Sequence, residues 1–171
     1  MKRAIMAAGF ILIFMVVGAV SLLGDTQPAW ADIKLKNVNT GKTFTISDFE
    51  GKPVLLETFA VWCSTCTKQQ KEIKRLHEEL GDSFVSITLD VDPNESERLV
   101  KKHASKYGFD WYYAVAPPEM TRLLIDQFGT TVVNAPAAPI ILLSENYEAR
   151  LLKRGVKTSE ELKLEIEKGS D

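Results

Sequence analysis

The stretch Glu57-Thr58-Phe59-Ala60-Val61-Trp62-Cys63-Ser64-Thr65-Cys66 decides the fold. It holds the chain's only two cysteines, in a C-x-x-C spacing. The apolar run Val54-Leu55-Leu56 leads into it, and a polar pattern with helical spacing follows. The two thiols therefore stand where a buried strand gives way to a helix. Backbone N–H groups at a helix start favour negative charge and lower a thiol's pKa. A bridge across two residues closes too short a loop to restrain the unfolded chain much. The pair, a Cys63–Cys66 disulfide when oxidised, reads as a thiol–disulfide exchange site and not as a staple.

Outward from this stretch, strands and helices alternate. Before it, Ile33, Leu35, Val38, Phe44 and Ile46 alternate weakly around the turn Asn39-Thr40-Gly41-Lys42, which predicts a hairpin over 32–48. After it, Ile73, Leu76 and Leu80 mark one face of a helix over 65–80, stopped by Gly81. A strand is expected over 84–91. Next comes a helix over 96–107, with Leu99, Val100 and Ala104 inward and Gly108 closing it. A short aromatic strand at 111–115 precedes a helix at 117–128, with proline in its first turn and Gly129 after its end. The apolar run 140–143 and a partner at 148–153 form a second hairpin around Ser144-Glu145-Asn146. Thr158-Ser159-Glu160-Glu161 is a capping box for a last helix to about 168. The pattern implies an α/β fold with a central mixed sheet and helices on both faces.

Size and charge narrow the function. A chain of 171 residues with 45% hydrophobic content fits one domain with a proper core plus a targeting segment. A net charge of −2 without a basic stripe argues against a nucleic-acid partner. Lys2 and Arg3 precede an uncharged run from Ala4 to Gly24, and Ala29-Trp30-Ala31 has the small-x-small form of a cleavage site. Residues 1–31 read as a signal peptide or a signal anchor, and 32–171 as the domain. The apolar run is long enough to span a bilayer, so cleavage and a retained membrane anchor both stay open. Either reading exports the domain, to the periplasm or the outer face of the cell membrane.

The run Lys52-Pro53-Val54-Leu55-Leu56-Glu57-Thr58-Phe59-Ala60-Val61-Trp62-Cys63-Ser64-Thr65-Cys66 resembles the active-site strand and turn of the thioredoxin superfamily. It is most similar to exported members of the TlpA/ResA type, which carry an N-terminal β-hairpin ending in a triplet like Gly51-Lys52-Pro53. The resemblance implies a thioredoxin fold and an extracytoplasmic thiol–disulfide oxidoreductase. Cys63, nearer the helix start and expected to be exposed by the turn, is the nucleophile; Cys66, more buried, resolves the mixed disulfide. Glu57 matches the family's buried acid and would relay a proton to or from Cys66. From the residues alone, it also fits a strand position that faces solvent or pairs with a lysine. Trp62 flanks the active-site surface or simply packs. Pro139 is the candidate cis-proline, with Ala138 before it pairing to substrate main chain; Pro136 is its rival. The implied partners are protein disulfides, among them apocytochrome c, and a membrane redox partner. No cofactor is implied.

Two positions depart from the family. Lys71 stands where the helix usually has proline, and Ser64-Thr65 is not the dipeptide of thioredoxin, so the redox potential does not carry over. The family leaning is toward reduction. The alternative is a Sco-type copper chaperone, which Asp90-Val91-Asp92-Pro93 and Gly108-Phe109-Asp110-Trp111 resemble. Sco-type sites use C-x-x-x-C and a downstream histidine, and no histidine follows His103 here. A zinc site would want about four ligands, and only His77 and His103 are left to join the cysteines. Neither histidine is given a function.

Overall fold

The computed structural model describes residues 27–169. The basic start and apolar run of the expected signal or anchor lie outside the described residues.

A two-stranded antiparallel hairpin opens the domain, with β1 (Leu35–Lys36) paired to β2 (Thr43–Phe44). The remaining strands form one five-stranded sheet. They are β3 (Val54–Phe59), β4 (Val85–Asp90), β5 (Tyr112–Val115), β6 (Ile140–Leu143) and β7 (Ala149–Leu151), in spatial order β5-β4-β3-β6-β7. β3 is central and buried at all six positions, as its near-continuous apolarity requires. It runs parallel to β4 and antiparallel to β6. Among the described residues four helices cover the sheet: α1 (Ser64–Leu80), α2 (Glu97–Tyr107), α3 (Pro118–Phe128) and α4 (Ser159–Lys168).

Alternation along β3 sorts the two layers of core. Leu55 and Phe59 face Ile73 and Leu76 of α1, Val100 and Ala104 of α2, and Leu162 and Ile166 of α4. Val54 and Leu56 face the other side, with Met120 and Leu124 of α3 and with Leu35 and Phe44 of the hairpin. The mixed sheet, the helices on both faces and the N-terminal hairpin are as the sequence implies, with element ends shifted by one or two residues. The capping box is present too: Thr158 Oγ1 accepts the Glu161 N–H, and Glu161 Oε2 accepts the Thr158 N–H.

Two expectations need correction. Leu99 is not inward; it is 36% exposed, and the buried face of α2 is Val100, His103 and Ala104. Those three share one helical stripe, and Leu99 lies one step outside it. The residues just before the expected boundary at 32 are also folded. Trp30 and Ala31, in the 3-10 turn Ala29–Asp32, are buried; the Trp30 indole donates to Gln127 Oε1 at 2.7 Å and its ring lies 6.3 Å from that of Phe128.

The second correction concerns Pro139. Among the described residues no peptide bond is cis, so the bond entering Pro139 is trans. Ala138 takes a left-handed conformation instead (φ 45°, ψ 59°), and its N–H closes a turn onto the Ala135 carbonyl at 2.8 Å. That left-handed residue swings the chain into β6 without a cis bond. The Pro139 carbonyl then accepts the Thr58 N–H at 3.2 Å, extending the ladder to β3.

Candidate active site

The turn after β3 brings the cysteines to the N-terminus of α1. Cys63 is the N-cap, and its Sγ accepts the Cys66 N–H at 3.0 Å. The two form a disulfide with Cα atoms 5.3 Å apart, the separation that one helical turn supplies. Cys63 is 3% exposed and Cys66 fully buried. The order of burial is the expected one, but the exposure expected for Cys63 is not present in the disulfide form. Its sulfur folds back over the helix end toward Cys66, and only its neighbours Trp62 and Ser64 reach solvent. Cys66 Sγ lies 3.1 Å from the Ala135 carbonyl oxygen, an acceptor in reach of an S–H once the pair is reduced.

Trp62 is 62% exposed, the most exposed large apolar side chain described. Its indole N–H donates to Asp92 Oδ2 at 2.8 Å, and that bond first of all holds the Asp92 carboxyl below its ordinary pKa. The next residue back is held by the same loop: the Val61 N–H donates to Glu95 Oε2 at 2.6 Å. Asp90, at the end of β4, is buried; burial foremost, then the Glu95 carboxylate, raises its pKa to about 7. The β4–α2 loop thus pins the turn that presents the cysteines. Beside it lies a largely apolar groove of about 540 Å³, with Val91, Pro93, Val115 and Ile125 among its walls.

Glu57 is fully buried on the β3 face that looks toward α1. This excludes the solvent-facing reading. Thr88 Oγ1 donates to its Oε2 at 3.2 Å, and the Trp111 indole donates in turn to Thr88 at 2.9 Å. Burial pushes the Glu57 pKa up to about 8, with the Gln70 amide, the Thr88 hydroxyl and the Lys157 ammonium drawing it part of the way back. Lys157 makes its own bond elsewhere, to the Gly155 carbonyl at 2.6 Å.

Ala138 and Pro139 are both buried. Ala138 spends its N–H on Ala135, so that donor is not open to a substrate strand. Pro136, the rival proline, is exposed in the 3-10 turn Ala135–Ala137. In this loop, Ala135 is the residue bonded against a site sulfur.

The histidines are structural neighbours of the site. His77 stacks on Phe84 at 4.5 Å and on Trp111 at 5.4 Å and pairs with Ser86 Oγ. His103 Nε2 pairs with Gln70 Oε1 at 2.7 Å, and burial lowers its pKa to about 4. Among the described residues, no group of three or more His, Cys, Asp or Glu is placed to hold a metal ion, which disfavours the copper alternative.

Sequence reasoning missed Asp92, Glu95, Gln70 and Ala135. Asp92, Glu95 and Ala135 carried no separate signal, being read as turn, loop or helix residues. Gln70 carried one: it stands four residues after Cys66 and three before Ile73, on the buried stripe of α1.

An uncharacterized protein of Haemophilus influenzae is 31% identical over 117 residues, covering 68% of this chain and 70% of that protein. Thiol-disulfide oxidoreductase ResA of Bacillus anthracis is 27% identical over 103 residues, covering 54% of this chain and 59% of ResA. The crystal structure of a thiol:disulfide interchange protein of the thioredoxin family from Chlorobium tepidum superposes with a TM-score of 0.70 at 17% identity, over 84% of this chain and 95% of that one. The fold is thus the thioredoxin fold. The model of the Redoxin family matches residues 23–137. That span contains both cysteines and Glu57, and it shows that the chain belongs to the Redoxin family.

Proposed function

We propose that this chain reduces disulfides in protein substrates outside the cytoplasm. The observation that carries the reading is the Cys63 sulfur at the N-cap of α1, accepting the Cys66 N–H at 3.0 Å. In the reduced protein the same seat favours a thiolate. The Cys63 thiolate attacks one sulfur of a substrate disulfide; the Cys63–substrate bond forms, the substrate bond breaks, and the leaving sulfur takes a proton from solvent. Cys66 then gives its proton to the Glu57 carboxylate and attacks Cys63 Sγ. The Cys63–Cys66 bond forms, and the second substrate sulfur leaves and is protonated. The substrate gains two electrons, which the dithiol loses.

Glu57 suits this relay. It is buried on the strand face toward the helix that bears Cys66, and its pKa of about 8 lies close to that of an ordinary thiol, so a proton can pass either way at little cost. Trp62 and the groove beside Asp92 offer the substrate an apolar surface next to the sulfurs. A membrane dithiol protein restores the reduced form, and apocytochrome c fits as a client. Export follows from Lys2, Arg3 and the apolar run after them. Burial of Trp30 favours a retained anchor, or a cut upstream of Trp30, over a cut after Ala31.

The test is disulfide reduction of insulin by the reduced protein, beside Cu(I) titration. Turnover that vanishes in Cys63→Ser supports the reading. Stoichiometric copper uptake without turnover moves the assignment to a metal carrier.

A further inference from the structure

Among the described residues, four buried side-chain atoms lack a hydrogen-bond partner: Glu57 Oε1, Gln70 Nε2, Asp90 Oδ2 and Tyr113 OH. Two of them are complementary, a carboxylate oxygen and an amide N–H. They belong to side chains that meet, since the Gln70 amide is what most strongly draws the Glu57 carboxyl back toward an ordinary acidity. A buried amide N–H without a partner costs about 1–3 kcal/mol. Leucine would fill the same place on α1 without that cost.

The amide is held from behind. Gln70 Oε1 takes His103 Nε2 at 2.7 Å, and the imidazole is wedged between Phe59 and Tyr107 with centroids 5.4 and 5.0 Å away. A neutral imidazole that donates through Nε2 fixes Oε1 toward α2 and leaves Nε2 toward β3. On the carboxylate, Oε2 has Thr88 and Oε1 has no bond. The other charged or titratable groups around it are Lys157, bonded to Gly155, and Tyr113, whose hydroxyl is unpartnered. Of the two unpartnered donors, the Gln70 amide is the one that draws the Glu57 carboxyl toward ionisation; the Tyr113 hydroxyl is not among the groups that do so.

We propose that Gln70 is a positioning residue for Glu57: its His103-anchored amide closes onto Oε1 when the carboxylate loses its proton and releases it when the proton returns. The pairing rests on the two complementary orphan atoms and the His103 anchor beside the pull of Gln70 on the Glu57 carboxyl; its effect on turnover rests on the proton relay proposed above. An ionised Glu57 without this donor is harder to form. Fewer molecules are then ready to take the Cys66 proton at neutral pH.

The direct experiment follows the Gln70 side-chain N–H signals and the Glu57 carboxyl carbon by NMR in the full chain across about pH 5 to 10. Both are expected to move with one shared midpoint, and the Gln70 response is expected to vanish in Glu57→Gln. Gln70→Leu is expected to raise the Glu57 midpoint by about one unit and to slow insulin reduction at neutral pH roughly tenfold. In a Glu57→Gln background it is expected to change the rate less than about twofold. Gln70 signals that stay still through the Glu57 midpoint overturn the proposal, as does an unmoved midpoint in a folded Gln70→Leu protein. If that variant does not fold, the wild-type titration decides. A wild-type protein without reductase activity defeats the functional reading and leaves the NMR outcome for the pairing intact.

Discussion

Cys63 Sγ accepts the backbone N–H of Cys66 at 3.0 Å, so the first cysteine caps the helix that carries the second. Serine is also a good N-cap, so Cys63→Ser is expected to unfold within about 1 kcal/mol of the reduced wild type while losing all insulin reduction. Cys66→Ser keeps the attacking sulfur and lacks the resolving one. It is expected to accumulate mixed disulfides with substrate, seen as reducible high-mass bands on a gel. Trapping by the Cys63 variant instead would reverse the roles.

The Trp62 indole is tied to Asp92 across the mouth of the site. Asp92→Ala is expected to free the ring, lower its fluorescence anisotropy and cut kcat/KM for a protein disulfide roughly three- to tenfold. Trp62 is exposed and Asp92 only half-buried, so the thermal midpoint should barely move. An unchanged kcat/KM would remove Trp62 from the substrate surface.

Glu57 makes stability depend on pH. Its folded pKa is about 8 against an ordinary 4.5. Between those values the folded chain holds a proton that the unfolded chain releases, so the folded state loses ground as pH rises through the window. Urea unfolding of Glu57→Gln should match the wild type near pH 4 and exceed it near pH 9 by on the order of 2–4 kcal/mol. A difference that does not grow with pH would mean that the carboxyl is not held protonated by burial.

Trp30 belongs to the core. Trp30→Ala is expected to cost about 3–5 kcal/mol by urea unfolding. Mass spectrometry of the exported protein should find a chain that still contains Trp30. A mature N-terminus at Asp32 would contradict this.

The sequence made the framework legible where local chemistry matched geometry. The apolar run before Cys63 became the central strand, and Thr158 with Glu161 capped α4 as expected. What stayed hidden depended on distant partners. Asp92 looked like a turn residue because the indole that it holds lies thirty positions away. Gln70 looked like part of a polar face, since nothing local announces a carboxylate on β3 or an imidazole on α2. Pro139 invited a cis bond, but a left-handed Ala138 turns the chain instead, and no pattern in 135–139 encodes that choice. Cys63 is covered in the disulfide form, where its sulfur folds over the helix end onto the Cys66 N–H.

The most direct test is the titration of the Cys63 thiol in the reduced protein, by thiolate absorbance and by the pH dependence of its alkylation. A sulfur capping a helix should ionise well below the ordinary thiol value of about 8.5, with a midpoint at or under about 7. A Cys63 that ionises at or above the ordinary value, or resists alkylation at every pH, would contradict the account.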